Sequence, residues 1–186
     1  MSIPNTITLG RLLCAPLAVY LILAGELGWA FWLFMAAGAS DALDGAIARM
    51  FRARTALGAY LDPIADKVLL VSVYVALANV GQLPLWLVIL TVFRDLMIVG
   101  GVLLLYTLKE SVAMQPLGIS KLNTAVQLIL PVAVLAPHGL DYTQPVFYGY
   151  DLVQLLVWLC AVTTVVSGLA YLGRGRILFD RTGGLK

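Results

Sequence analysis

The chain has 186 residues, 61% of them hydrophobic and 12% charged, with a formal net charge of +2 and a mean hydropathy of +0.95. Water-soluble domains carry about 25% charged residues, so this composition excludes an ordinary globular protein and points to one embedded in lipid. The small net charge gives no case for a nucleic-acid partner, and two distant cysteines, Cys14 and Cys160, offer neither a disulfide framework nor a zinc site.

A helix crosses the hydrocarbon core in about 20 apolar residues. Six stretches meet that length: 5–25, 28–50, 59–80, 84–107, 119–137 and 150–172. The expected architecture is a single all-α integral membrane domain, residues 1–186, of about six transmembrane helices. Polar Asn5 and Thr6 directly precede the first apolar run, so no cleavable signal is expected, which favours insertion into a bacterial plasma membrane. Within that first span Asn5, Thr8 and Arg11 recur every three residues and share a helical face. Arg11 has two readings, an anchor for the span or a group that meets substrate.

The second and third spans carry the densest charge. Asp41-Ala-Leu-Asp44-Gly45-Ala-Ile-Ala48-Arg49 is followed, eight residues later, by Gly58-Ala-Tyr-Leu-Asp62-Pro63-Ile-Ala-Asp66. At about 100° per residue Asp41 and Asp44 lie about 60° apart, joined on one face by Gly45, Ala48 and Arg49; Gly58, Asp62 and Asp66 advance by only about 40° per step. Two such helices facing each other would bring four carboxylates to one point, with glycine and alanine lining the gap. Clustered hard oxygen ligands are what Mg²⁺ or Mn²⁺ takes, usually together with substrate phosphates. A lone carboxylate at the centre of a span costs about 2.5–3.5 kcal/mol, so four of them call for a compensating metal or cavity. Asp62 before Pro63 also fits a plain helix N-cap.

The fourth span holds Arg94-Asp95 deep in an apolar run, either an ion pair holding helices together or a cavity wall whose arginine faces a phosphate. In the fifth, Ser120-Lys121-Leu-Asn123-Thr124-Ala-Val-Gln127 sets Asn123 and Gln127 on one face with Lys121 and Thr124 close by. Polar glue between spans accounts for such residues as readily as a binding role does. His138, the single histidine, falls in the loop 137–141 and is given no chemistry.

The cations set the orientation. Arg49, Arg52, Arg54, Lys67, Lys109, Lys121 and the tail Arg174, Arg176, Arg181 and Lys186 fall at one set of ends, whereas 25–28, 80–84 and 137–150 contain no Lys or Arg. The positive-inside rule places both termini, and the carboxylates, on the cytoplasmic side. Trp29, Trp32, Trp86, Tyr142, Tyr148 and Tyr150 gather toward the cation-free ends, as an interfacial belt would. A cation transporter is the rival class, but such folds show inverted repeats and midplane sites, and this chain has acids at one end and no repeat.

The pattern Asp-x₂-Asp-Gly-x₂-Ala-Arg-x₈-Gly-x₃-Asp-x₃-Asp resembles the signature of the CDP-alcohol phosphotransferases at all eight fixed positions. The resemblance implies about six spans and transfer of a phosphatidyl group from a cytidine-diphosphate lipid to an alcohol, with release of CMP and two divalent metals. It implies Asp41, Asp44 and Asp62 as metal ligands holding the pyrophosphate, and Asp66 as a ligand of the second metal and general base. It also implies that Gly45, Arg49, Thr55 and Gly58 contact the cytidine diphosphate, and that Asn5, Thr8 and Arg11 lie over the nucleotide; homodimers are common in the family. Ile3-Pro4-Asn5, Arg94-Asp95 and Ile119 to Leu130 look most like the mitochondrial-type cardiolipin synthases. Phosphatidylglycerophosphate synthases are similar too, but usually carry Arg-Glu in place of Arg94-Asp95, an arginine about where Val102 stands and a lysine where Asn123 stands. A glycerol 3-phosphate dianion should want those cations. The expected acceptor is therefore phosphatidylglycerol and the expected product cardiolipin, with glycerol 3-phosphate the alternative.

Overall fold

The computed structural model describes residues 3–51, 56–107, 118–141, 146–147 and 150–183, with side chains at 10, 12–40, 65–101, 118–141 and 151–173. Six helices make up the described chain: α1 (Ile3–Leu23), α2 (Leu27–Phe51), α3 (Ala56–Asn79), α4 (Leu85–Thr107), α5 (Gly118–Leu140) and α6 (Leu152–Gly183). Each matches a predicted span to within a few residues at its start. Between α5 and α6, Val146–Phe147 (β1) and Tyr150–Asp151 (β2) pair antiparallel, with Val146 opposite Asp151, a minimal pairing within an otherwise all-α fold.

Three helix ends depart from the sequence reading. Pro63 lies inside α3 as its eighth residue, so Asp62 is not an N-cap. The stretch 137–140 belongs to α5 rather than to a loop, with Asp141 (φ 51°) closing the helix in the left-handed region. The helix tolerates Pro131 and Pro137, as spans do when neighbouring groups take up the freed carbonyls. And α6 continues through Arg174, Arg176 and Arg181 instead of ending at 172.

The stops of α1 and α3 are built alike. Glu26 N–H donates to Leu21 O (2.9 Å) and Gly25 N–H to Ile22 O (3.1 Å); Gln82 N–H donates to Leu77 O (2.8 Å) and Gly81 N–H to Ala78 O (3.1 Å). These are Schellman caps, and Gly25 (φ 81°) and Gly81 (φ 76°) supply the left-handed residue each requires.

Backbone contacts divide the chain into two compact units, Met1–Leu85 with Pro131–Leu152 and Trp86–Leu130 with Val153–Lys186. In the first, α1 packs on α3 and α2. Its buried side chains run Ala15, Ala18, Ile22 on α1, Ala30, Phe34, Ala37 on α2 and Leu69, Leu70, Val73, Leu77 on α3. The alanines let helix backbones approach closely, which is how spans associate in lipid. At the turn end of this unit α2 and α5 meet backbone to backbone: a Cβ on Gly28 would lie 2.7 Å from His138 O, and one on Gly139 would collide with the Phe31 ring.

The second unit buries polar groups beside apolar ones and is apolar outside. Thr91, Arg94, Asn123, Gln127, Thr163, Thr164 and Ser167 are buried, while Ile89, Phe93 and Leu96 on α4 and Leu155, Leu159, Val162, Val166 and Leu169 on α6 are exposed at spacings of three and four. Continuous apolar stripes of this kind mark a surface that meets something other than water. Among the described residues, α5 and residues 152–173 of α6 are each long and apolar enough to cross a membrane.

Candidate active site

The signature residues lie on α2 and α3, and Asn5, Thr8 and Arg11 lie on α1. Helical register relates their positions to the described side chains further along each helix. On α2 the stripe Ala30, Phe34, Ala37 continues at steps of four and three to Asp41, Asp44 and Ala48. On α3, Leu77, Val73 and Leu70 lead back to Asp66 and Asp62, and on α1, Ile22, Ala18 and Ala15 lead back to Arg11, Thr8 and Asn5. By backbone register alone, the candidate residues continue these three rows over the last turns. Because α1 joins α2 through a three-residue turn and packs on both α2 and α3, the start of α1, the end of α2 and the start of α3 belong to one end of this unit.

The side chains of Asn5, Thr8, Arg11, Asp41, Asp44, Gly45, Arg49, Gly58 and Asp62 lie outside the described residues, as does Thr55 altogether. Asp66 is described: it is exposed, one residue after the buried Ala65. Hard carboxylate oxygens at helical spacing on adjoining helices are the donor set that a divalent ion paired with phosphates requires.

Arg94 and Lys121 belong to the second unit. Lys121 is exposed near the start of α5. Arg94, only 5% exposed, donates from Nη1 to Asp95 Oδ1 (2.8 Å) and from Nη2 to Ser120 Oγ (2.6 Å) and Ser167 Oγ (2.5 Å). Its guanidinium carbon stands 6.0 Å from the Tyr171 ring centroid. One buried cation thus ties α4 to α5 and α6, and the adjacent carboxylate offsets its charge. One turn along, Asn123 Oδ1 accepts from Thr163 Oγ1 and Thr164 Oγ1, both at 2.9 Å. Sequence reasoning missed Thr163, Thr164 and Ser167. Hydroxyls barely lower the hydropathy of a span, so their helical spacing opposite Asn123 and Ser120 was the one available signal.

The sequence pattern of the CDP-alcohol phosphatidyltransferase family matches residues 1–166. The chain belongs to this family. Its members with assigned names include the human cardiolipin synthase (CMP-forming), 35% identical over 94% of this chain and 62% of the relative. The Bacillus subtilis CDP-diacylglycerol–glycerol-3-phosphate 3-phosphatidyltransferase is 31% identical over 93% of this chain and 94% of the relative. A chloroplast enzyme of the same name from rice is 34% identical over 92% of this chain and 56% of the relative. The chain therefore spans about three-fifths of the human protein's length and nearly all of the Bacillus one. Both acceptor specificities occur among relatives of similar identity, so family membership leaves the acceptor to the site itself.

Proposed function

We propose that this CDP-alcohol phosphatidyltransferase joins CDP-diacylglycerol to phosphatidylglycerol, giving cardiolipin and CMP, from the cytoplasmic face of a bacterial inner membrane. What supports the reading is the signature spacing on α2 and α3 together with the backbone register that sets Asn5/Thr8/Arg11, Asp41/Asp44 and Asp62/Asp66 at one end of the first unit. The cation distribution supports six spans with both termini inside. Family resemblance further suggests a homodimer.

In the proposed reaction a glycerol hydroxyl of phosphatidylglycerol attacks the lipid-bearing phosphorus, the P–O bond to CMP breaks, and CMP departs with the electron pair. An alcohol is a weak nucleophile at neutral pH, so Asp66 accepts its proton as the new bond forms. Asp41, Asp44, Asp62 and Asp66 would hold two divalent ions, Mg²⁺ or Mn²⁺, which neutralise charge developing on the diphosphate. Gly45 and Gly58 leave room for the nucleotide beside the backbone, and Arg49 and Thr55 supply donors to its phosphates. Asn5, Thr8 and Arg11 cover it from α1. Arg94 and Lys121 are assigned to phosphate on the acceptor side.

The glycerol 3-phosphate reading is favoured by the Bacillus relative, which this chain matches nearly end to end. An acceptor screen decides between them. Purified protein with CDP-diacylglycerol and Mg²⁺ is offered phosphatidylglycerol, glycerol 3-phosphate, serine or inositol phosphate, and CMP is measured. Release with phosphatidylglycerol alone is expected; release with glycerol 3-phosphate alone reassigns the acceptor, and none with any alcohol ends the proposal. Chelation by EDTA should stop release, and Mg²⁺ or Mn²⁺ should restore it.

A further inference from the structure

The first unit holds a pocket of about 470 Å³, lined by Glu26, Trp29, Trp32, His138 and glycines that include Gly28 and Gly139. It lies at the start of α2, about 20 Å along the helix axis from Asp41, and its size is that of a small-ligand site. Packing holds its walls. A Cβ on Gly28 would stand 2.7 Å from His138 O, and Gly139 seats directly against the Phe31 ring. Phe31 is buried and meets Trp32 edge-on, with ring centroids 5.2 Å apart at 75°. The Trp32 indole is thus braced from behind, while Trp32 and Trp29, one turn apart, are 53% and 68% exposed. The electrostatics select a cation. With histidine neutral, Glu26 is the one formal charge on the lining among the described residues, and 25–28 and 137–150 hold no Lys or Arg to pair with it. The start of α2 and the end of α5 meet here, so their terminal dipoles oppose and largely cancel. Indole faces add attraction for a cation, whereas an anionic headgroup finds no counter-charge. The surroundings select a lipid over a free ion. Leu23 and Leu140 flank the lining residues in the chain and are exposed, and the exposed face of α2 continues from Trp29 and Trp32 through Met35, Ala36 and Ala39. That row is an apolar track for an acyl chain. Ser40, at its foot, turns its hydroxyl back to Ala36 O.

We propose that this pocket binds the primary ammonium of an amine-headed phospholipid, with Glu26 as counter-ion and Trp29 and Trp32 as the π faces. The ammonium donates to the carboxylate while the indoles take up its charge, and an acyl chain of the same molecule lies along α2. The site is remote from the proposed phosphatidyl transfer and does not depend on it.

Native mass spectrometry of the full chain in dodecyl maltoside tests it, counting bound lipid as dioleoyl phosphatidylethanolamine or dioleoyl phosphatidylglycerol is titrated in. The parent should bind phosphatidylethanolamine saturably. Glu26→Gln removes the charge and Trp32→Leu removes a π face; each should weaken that binding about three- to tenfold. Binding of phosphatidylglycerol should stay within about twofold. Both side chains are exposed, and the helix-capping bonds at Glu26 come from its backbone, so both variants should fold. No saturable phosphatidylethanolamine binding by the parent overturns the proposal, as does binding unchanged in both variants, which leaves the tryptophans as an interfacial belt. An equal loss for both lipids overturns it too, as does failure of Glu26→Gln to fold, which makes Glu26 structural. Displacement of the lipid by millimolar free ethanolamine overturns the lipid assignment in favour of a soluble amine. No CMP is measured, so a parent that transfers no phosphatidyl group would strike the proposed function and leave this test standing.

Discussion

Asp66 is set one residue beyond a packed alanine yet is exposed, on the stripe that buries Leu70 and Val73 a turn and two turns later. A carboxylate in that position can exchange a proton with an incoming alcohol while its backbone is held by the α1–α3 contact. Asp66→Asn keeps size and polarity but removes the base, so turnover should fall about 10²–10⁴-fold while CDP-diacylglycerol binding, read by equilibrium titration, persists. Lost binding would reassign Asp66 to holding substrate. Arg94 invites the opposite experiment. Arg94→Met removes the buried guanidinium that ties α4 to α5 and α6 and should cost about 3–5 kcal/mol, seen as a lower thermal midpoint in detergent.

At the level of helices, the six helices were legible because each apolar run ends at residues with a physical reason to stop. Gly25 and Gly81 were visible as breaks and prove to be left-handed caps. The end of α5 was not legible: Pro137 and Gly139 read as a loop, but α2 presses backbone against backbone there and holds the helix closed to Leu140. Likewise Asp62-Pro63 imitated a helix start, whereas α3 had begun at Ala56. The four-carboxylate spacing stood out because charge is costly in a span. The threonines and serine of α6 did not, since their partners lie on other helices and no local pattern names them. The α2–α5 contact makes its own prediction. Gly28→Ala places a methyl 2.7 Å from a carbonyl that cannot rotate away, so it should destabilise by about 1–3 kcal/mol. Gly38→Ala, which meets open space, should be neutral in the same thermal assay.

Among the described residues the second unit buries hydroxyls, an amide and an ion pair beside its apolar side chains, while leucine, isoleucine, valine and phenylalanine line its outer surface. Trp29, Trp32, Trp86 and Trp158 are all exposed, and Trp86 and Trp158 approach to 5.7 Å between centroids. The proposed topology puts Trp29, Trp32 and Trp86 near the outer interface. With Cys14 and Cys160 replaced by alanine, a cysteine at Gln82 should react with an impermeant maleimide in intact cells. One at Lys186 should react only after permeabilisation. Equal labelling of both before permeabilisation would overturn the orientation.

The turn between α1 and α2 has a bearing on how the protein is made. Residues 24–26 close the hairpin with two cap bonds and one left-handed glycine, and they carry a single acid and no base. A hairpin so short can be threaded into the bilayer as one piece, with one carboxylate to carry across. The helices that bear Arg11 and the first two signature aspartates would then arrive together, already paired, ahead of the helix that carries the other two.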